Sequence, residues 1–210
     1  MKHSIKKVEL KDDFLQKAVS LYESNREKHE SYLNELFDWN EKINLVSRTV
    51  SRETVEGHIV HSLFPHELGL INHHKKWIDT GTGGGLPGIP LAIQNPDIYW
   101  VLNDNVRKKI KAVSAIVESL QLKNTKTAAK SISLYDLQKG TGIVTKHAFK
   151  IPKLLHLLGK KPWETIILWK GEKDVIEEVR KSPGHMDVTI YPFRFSDTFY
   201  EGKALVVLKK

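Results

Sequence analysis

The spacing of hydrophobic positions changes about one third of the way along the chain. From Asp12 to Asn40, apolar residues recur mostly at the three- and four-residue intervals of a helix, which predicts one or two amphipathic helices. The segment Glu53 to Phe64 repeats this spacing and is predicted to end at Pro65, which has no amide hydrogen to continue a helix. Residues 1–70 are therefore predicted to form an N-terminal helical extension.

From Trp77 onward, short apolar strands alternate with amphipathic segments, as in βαβ units around a parallel sheet. Seven strands are predicted, at Trp77 to Thr80, Ile98 to Asn103, Thr125 to Ala129, Ile143 to Lys146, Thr165 to Trp169, Asp187 to Phe195 and Ala204 to Lys209. Too few residues separate the last two strands for a crossover helix, so they should form an antiparallel hairpin. We expect an α/β protein in which residues 71–210 form a Rossmann-like sheet, packed with the extension as one compact unit.

The most regular predicted helix follows the second strand of this sheet. Val106 to Leu122 carries one apolar stripe, with basic residues on its other faces. Asn105 is the expected N-cap, because asparagine side chains readily accept hydrogen bonds from the first helical amides.

Composition and charge narrow the classes of partner. The 210 residues carry a formal net charge of +8, and this excess of Lys and Arg favours polyanionic partners such as nucleic acid. The absence of cysteine excludes disulfides, thiolate metal sites and thiol catalysis. The N-terminus lacks the apolar run of a signal peptide and no stretch approaches a membrane span, so we expect a cytoplasmic protein without membrane contact.

The strongest candidate site is the glycine-rich segment that follows the first predicted strand. Four of the five positions from Gly81 to Gly85 are glycine, which permits positive φ angles and lets a ligand approach the backbone. Gly83 to Gly88 also matches the G-x-G-x-x-G fingerprint of dinucleotide-binding proteins, which keeps a nicotinamide-dependent oxidoreductase open. Asp79, just before the loop, suits a cationic sulfonium cofactor better than a pyrophosphate. Asp104 ends the next strand, where a carboxylate can accept the ribose hydroxyls of either nucleotide.

A longer motif around this loop resembles a known family. The segment Trp77–Ala92, WIDTGTGGGLPGIPLA, is similar to the signature of the ribosomal RNA small subunit methyltransferase G family, also called glucose-inhibited division protein B. Its most diagnostic part is Leu86–Pro90. Further matches cover nearly the whole chain, at Trp39–Leu45, His58–Leu63, Asp104–Lys109, Ala148–Phe149, Lys170–Gly171 and Leu205–Lys209.

The resemblance implies the fold of class I S-adenosylmethionine-dependent methyltransferases and methyl transfer to N7 of a guanine in 16S ribosomal RNA. It implies S-adenosylmethionine as cofactor and small-subunit ribosomal RNA, or the ribosomal subunit, as partner of a monomeric enzyme. The cofactor-binding residues expected from the loop and the resemblance together are Asp79, Gly81, Gly83, Gly85, Leu86, Asp104, Asn105 and Ser133.

Four positions, in three places along the chain, depart from the family's usual residues. Lys146 and His147 stand where the family usually has Ser-Arg, His61 replaces the usual aspartate, and Ser133 stands where an acidic residue is common. We expect Lys146 and His147 to take part in catalysis by positioning the substrate. A catalytically diverged protein that binds S-adenosylmethionine or RNA is the alternative function.

Several candidates also have simpler structural interpretations. The basic residues Lys150 and Lys153 can hold phosphate or form a solvated face, and Trp163 and Trp169 can stack on a base or pack in the core. Asn40 and Asn44 are expected to cap helices rather than to contact RNA or cofactor. His58 and His61 are spaced like metal ligands, but no third ligand accompanies them, so no metal site is predicted.

Overall fold

The computed structural model describes residues 3–210, which form one mixed β-sheet with helices on both faces. In this part of the chain the strands are β1 Ser4–Lys7, β2 Leu10–Lys11, β3 Lys76–Thr80, β4 Tyr99–Asp104, β5 Thr125–Ala129, β6 Thr141–Lys146, β7 Thr165–Gly171, β8 Asp187–Arg194 and β9 Lys203–Lys209. The helices are α1 Asp12–Ser24, α2 Arg26–Lys42, α3 Arg52–Ser62, α4 Phe64–Glu67, α5 Gly88–Gln94, α6 Arg107–Ser119, α7 Ile151–Leu158 and α8 Glu172–Arg180.

The strand order is β1-β8-β9-β7-β6-β3-β4-β5, with β2 also paired to β8. Strand β9 runs antiparallel to both of its neighbours, and the other pairs are parallel. From β3 the chain first builds the sheet outward through β4 and β5, and it then returns to add β6 on the other side of β3. Open α/β sheets bind ligands at the carboxyl ends of strands at such a reversal point.

Alternate residues of the central strands enter two hydrophobic cores. Trp77 of β3 packs with α1 to α6 on one face, while its neighbour Ile78 packs with α7 and α8 on the other. Helices of the N-terminal extension therefore share one core with the sheet, although the proposed boundary at residue 70 stays a prediction. In residues 3–210, no helix has the length and apolarity needed to cross a bilayer.

All seven predicted strands are present, and the predicted hairpin is confirmed by the antiparallel pairing of β8 with β9. The strands β1 and β2 were not predicted. The side chains of β1 are all exposed, so it has no apolar alternation to reveal it, and it joins the sheet through backbone pairing with β8.

Two predicted helix boundaries are wrong. Pro65 does not end the helical region, because it lies in the first turn of α4, where a missing amide hydrogen costs no hydrogen bond. Asn105 is not the N-cap of α6. Val106 occupies that position without a side-chain cap, and its amide donates to Oδ1 of Asp104 at 2.9 Å.

Candidate cofactor and substrate site

Asp79 holds the loop between β3 and α5 in place through hydrogen bonds. This residue is completely buried, and its Oδ2 accepts hydrogen bonds from Thr82 Oγ1 at 2.6 Å and from the Gly88 amide at 2.9 Å. Burial raises the pKa of Asp79 to about 7, against the opposing effect of those two hydrogen bonds. The contacts of Asp79 therefore fix the loop conformation, and contact with a cofactor stays a prediction.

The three glycines predicted to approach a cofactor have different surroundings. A Cβ on Gly81 would come within 2.4 Å of the Ala148 side chain, and one on Gly85 within 2.4 Å of Ile89. Both glycines are thus required by protein packing as well as by their positive φ angles. Gly83 has φ of +58°, and a Cβ there would meet nothing within 4 Å. Gly83 is therefore the point where a ligand can lie against the loop backbone.

A cleft of about 590 Å³, here called the β4-side cleft, opens beside this glycine. It brings together four of the predicted cofactor residues, Gly81, Gly83, Asp104 and Asn105. The Asp104 carboxylate accepts the Gly83 amide through Oδ2 at 3.1 Å and the Val106 amide through Oδ1 at 2.9 Å. Each oxygen keeps a lone pair for a further donor. The cleft thus combines an exposed backbone with an oriented carboxylate.

Ser133 does not line the β4-side cleft. Its hydroxyl lies 2.8 Å from Oγ of Ser131, and Ser131 lines the cleft instead, together with Lys130 and Ile132. These lining residues were missed in the sequence. The only available signal was their position directly after a strand, at the ligand-binding edge of the sheet.

A second space of about 320 Å³, here called the α3-side cavity, lies across the loop. Its apolar wall comes from Leu86 of the loop, Val55 of α3 and the turn before α3, where Leu45, Val46 and Val50 lie. The predicted cofactor residue Leu86 lines this cavity and not the β4-side cleft. Gly81, Gly83, Lys146 and His147 line both spaces.

Asn40 shapes the wall of this cavity from the end of α2. Its Oδ1 accepts the backbone amides of Leu45 at 2.8 Å and Val46 at 3.0 Å. The residue therefore has a structural, cap-like role, as its expected preference for capping suggested.

Lys146 ends β6 with its side chain buried between the two spaces. Its Nζ donates to the His58 carbonyl at 2.9 Å and lies 3.2 Å from His58 Nδ1 and 3.5 Å from Ser62 Oγ. Among residues 3–210 no carboxylate forms an ion pair with it. Burial, together with nearby Lys203, holds the pKa of the Lys146 amine well below its ordinary value.

Three histidine rings surround this lysine. The centroid of the His147 ring lies 6.5 Å from those of His58 and His61. Desolvation and the Lys146 charge lower the pKa of His147, which is partly open to solvent, to about 4 and that of the half-buried His58 to about 3. His61 is completely buried among aromatic rings, and burial holds its pKa well below the ordinary value. In the described part of the chain, no three His, Cys, Asp or Glu side chains are arranged to hold a metal ion.

The two tryptophans considered for base stacking are both buried. Trp169 is completely inaccessible, and its Nε1 donates to the His61 carbonyl at 2.9 Å. Trp163 is 5% exposed and packs in the core on the α7 and α8 face.

Comparison with protein families matches residues 25–190 to the family described as rRNA small subunit methyltransferase G, GidB. The chain belongs to this family. It is 34% identical over 177 residues to ribosomal RNA small subunit methyltransferase G of Flavobacterium psychrophilum, covering 80% of this chain and 83% of the relative. It is 35% identical over 182 residues to the same enzyme of Flavobacterium johnsoniae, covering 81% and 84%. The predicted family is confirmed, and the nicotinamide-dependent oxidoreductase is set aside.

Solved structures show the same fold at low sequence identity. One is an O-methyltransferase from Bacillus cereus in complex with SAH, with a TM-score of 0.59 and 14% identity over 86% of this chain and 91% of that one. Another is the O-methyltransferase TomG from Streptomyces achromogenes in complex with SAM, with a TM-score of 0.58 and 14% identity over 85% and 89%. The expected class I methyltransferase fold is confirmed.

In this member of the rRNA small subunit methyltransferase G family, two of the departures from the usual residues are neighbours in space. His61 of α3 and the Lys146-His147 pair after β6 meet beside the α3-side cavity, although they lie far apart in the sequence. The third, Ser133, lies apart beyond Ser131. Of these residues, Lys146 and His147 line both spaces.

Proposed function

We propose that this protein transfers the methyl group of S-adenosylmethionine to N7 of a guanine in 16S ribosomal RNA. The observation that carries the proposal is the joining of two spaces at Gly81, Gly83, Lys146 and His147. The β4-side cleft suits a nucleoside cofactor and the α3-side cavity suits a substrate group. The methyl donor and the methyl acceptor would therefore meet at these four residues, here called the shared wall.

The β4-side cleft fits S-adenosylmethionine. The open space at Gly83 leaves room for a ligand against the backbone, and the Asp104 carboxylate can accept ribose hydroxyls. Asn105 and Ile132 line the same cleft and would border the rest of the nucleoside. When bound, the cofactor supplies an electrophilic methyl carbon on a sulfonium centre.

Guanine N7 carries a free lone pair at neutral pH, so its attack on a methyl carbon releases no proton. The protein's task is therefore alignment, a contribution that reaches about 7 to 11 kcal/mol in favourable cases. The side chains at the shared wall suit this task. Lys146 is buried against His58, and the low pKa values of His58 and His147 keep both rings neutral at pH 7.

The RNA substrate is supported by the names of the relatives and by charge. Lys109, Lys130 and Lys153 line the β4-side cleft, and Lys150 is exposed beside it. Phosphates near these side chains would displace counterions, which favours binding of a nucleic acid strand across the cleft. We further infer that the protein acts in the cytoplasm, where ribosomal RNA is available. Its monomeric state stays a prediction.

One observation favours the alternative of a binding protein without activity. His147 replaces an arginine usual in the family, and a neutral imidazole has neither the charge nor the forked donor geometry of a guanidinium. The alternative protein binds S-adenosylmethionine or RNA, whereas only the methyltransferase also transfers the methyl group.

Mass spectrometry of nuclease fragments and of nucleosides of small-subunit ribosomal RNA, from cells with and without this gene, tests the proposal. We expect 7-methylguanosine to disappear from one position in the deletion and to return with the wild-type gene. Identical RNA from both strains, together with thermal stabilisation of the purified protein by S-adenosylmethionine but not by NAD, would instead support the binding protein.

A further inference from the structure

Within residues 3–210, Lys146 is a buried amine without a carboxylate partner, and it lies where the α3-side cavity meets the β4-side cleft. From this arrangement we infer that Lys146 is a specificity-determining residue that selects guanine by donating a hydrogen bond to O6 of a base in the α3-side cavity. The inference rests on the proposed methyl transfer and adds to it the pocket for the base and the group that recognises it.

The contacts of Lys146 leave one donor for a ligand. As an ammonium group it has three N–H bonds, of which the His58 carbonyl and His58 Nδ1 accept two. As a neutral amine it donates one to the carbonyl, accepts from a protonated Nδ1, and again keeps one N–H. In the ammonium form the remaining N–H faces Ser62 Oγ at 3.5 Å, the long limit of a hydrogen bond, so an acceptor atom of a ligand can replace this weak contact.

The walls of the α3-side cavity suit the faces of a flat base. Leu45, Val46, Val50, Val55 and Leu86 supply apolar surface, and the hydrogen-bonded pair of His58 and Lys146 supplies polar groups. The volume of about 320 Å³ lies near the lower end of the roughly 300 to 1,000 Å³ typical of small-ligand pockets. One planar group with a polar edge fits this distribution better than an extended ligand does.

The edge of guanine that carries N7 also carries O6, and both atoms are acceptors. A base that points N7 through the shared wall towards the β4-side cleft therefore presents O6 to the same wall, where Lys146 lies. Adenine has an amino group in place of O6, so its N–H would face the N–H of Lys146 and no hydrogen bond could form. Lys146 therefore favours guanine at the edge that is methylated.

The positive charge of the methylated base favours neutral side chains beside it. Methylation at N7 leaves a positive charge on the purine ring, which a nearby cation would repel. Burial lowers the pKa of the Lys146 amine, which favours its neutral form, and the neutral amine still donates a hydrogen bond. The low pKa values of His58 and His147 likewise keep both rings around it uncharged.

The test combines a change in the protein with a change in the base. Small subunits are reconstituted on ligated ribosomal RNA that carries guanine, hypoxanthine or 2-aminopurine at the position mapped by mass spectrometry. Single-turnover methylation is measured for the wild type, Lys146→Met, Lys146→Gln and the exposed control Lys123→Met. Hypoxanthine keeps O6 and lacks the 2-amino group, whereas 2-aminopurine lacks O6.

We expect Lys146→Met to slow methylation of guanine and hypoxanthine about tenfold or more, the usual effect of losing one discriminating hydrogen bond. Lys146→Gln, which keeps a shorter donor, should recover part of the rate. On 2-aminopurine the wild type should already be slow, and Lys146→Met should add no further loss. The Lys123→Met control should match the wild type on all three bases.

Equal proportional losses on guanine and 2-aminopurine, or no loss on guanine, would overturn the inference. Calorimetry with S-adenosylhomocysteine and thermal unfolding of each variant distinguish loss of recognition from loss of cofactor binding or of the fold. The proposed function fails separately, if the wild type methylates none of the guanine-containing subunits.

Discussion

The Nζ atom of Lys170 lies 2.8 Å from Oε1 of Glu178, and both side chains are almost buried. The same two side chains hold the segment that follows β6. Lys170 Nζ also donates to the Phe149 carbonyl at 3.3 Å, and Glu178 Oε2 accepts the Ile151 amide at 2.7 Å. Ala148 in this segment packs against Gly81 and lines the β4-side cleft. By holding the segment, the ion pair therefore fixes one wall of the cleft, although it does not itself contact Gly81.

We predict that Glu178→Ala destabilises the protein by about 3 to 5 kcal/mol, because it leaves the buried Lys170 charge without a partner. The double variant Lys170→Met with Glu178→Met should recover most of that stability, since it removes both charges. It should not recover S-adenosylmethionine affinity, because neither methionine can hold the Phe149 carbonyl or the Ile151 amide. Chemical denaturation and calorimetry measure the two effects separately.

The control for this pair is Glu177→Ala. Glu177 forms an exposed ion pair with Lys181 on the solvent side of the same helix, so its loss should change stability little. A double variant that binds S-adenosylmethionine like the wild type would show that the pair has no role in positioning the cleft.

The second prediction concerns the open glycine. Gly83→Val should weaken S-adenosylmethionine binding at least tenfold, because a branched side chain would occupy the space beside the loop. Gly184→Val is the matched control, since Gly184 also has a positive φ angle and a Cβ there would meet nothing within 4 Å. It lies in an exposed bend between α8 and β8 and lines neither space. Both variants carry similar backbone strain. Equal cofactor affinities in the two, measured by calorimetry, would contradict binding at Gly83.

The elements around this glycine show which features a sequence can reveal. The strand before the loop was predictable because Trp77 and Ile78 are both apolar and enter cores on opposite faces. The positions of Gly81, Gly83 and Asp104 followed from strand ends, which meet at one edge of a parallel sheet. Local pattern and topology therefore locate the cofactor side of the site.

The direction of single side chains was not predictable in the same way. The Asp79 carboxylate turns beneath the loop because Thr82 and the Gly88 amide donate to it. Ser131 rather than Ser133 lines the cleft because a short 3-10 turn follows β5. The spacing of apolar residues in the sequence does not predict this turn. The α3-side cavity depends on α3 and the turn at Leu45, which only tertiary packing brings to the loop.

The third prediction concerns stability at low pH. His29 is completely buried against Tyr22, and burial lowers its pKa from 6.5 to about 4. Above pH 6.5 the ring is neutral in both the folded and unfolded states. Between about pH 6.5 and 4 the unfolded chain binds a proton that the folded protein does not, so stability falls as the pH drops. At pH 5 this loss amounts to about 2 kcal/mol.

Denaturation of wild type and His29→Phe at pH 7.5 and pH 5 measures this contribution. The variant should lose about 2 kcal/mol less than the wild type between these pH values. His156→Phe, on an exposed position of α7, should lose as much as the wild type. Parallel curves for wild type and His29→Phe would show that His29 does not resist protonation in the folded state.

The fourth prediction concerns salt and RNA affinity. Lys150 and Lys153 are exposed at the start of α7, beside the β4-side cleft. Each phosphate contact to single-stranded RNA contributes about −0.7 to the slope of log affinity against log salt. Lys150→Glu with Lys153→Glu should therefore flatten the slope by about 1.4. Lys123→Glu with Lys126→Glu changes the net charge equally near the amino end of β5 and should leave the slope closer to that of the wild type. Identical slopes for both double variants would show that Lys150 and Lys153 contribute only through the overall positive charge and do not contact phosphates.

The last prediction follows from the lone pair on N7, which makes a general base unnecessary. The pKa values of His147 and His58, about 4 and 3, leave both rings neutral from pH 7 to 9. Lys146 keeps an N–H for the base in either protonation state. Asp79, with a pKa of about 7, goes only from about half to fully ionised over this range, which limits its effect on the rate to about twofold. The single-turnover rate should therefore be nearly flat over this range.

His147→Ala should retain cofactor binding and lose mainly RNA affinity or alignment, because the ring lines the wall shared by the two spaces. Its pH profile should stay as flat as that of the wild type, at a lower rate. A steeply rising wild-type profile that disappears in His147→Ala would identify His147 as an acid–base catalyst. Such a result would argue against N7 and for an exocyclic amine or hydroxyl, since only those acceptors must release a proton as the methyl group arrives.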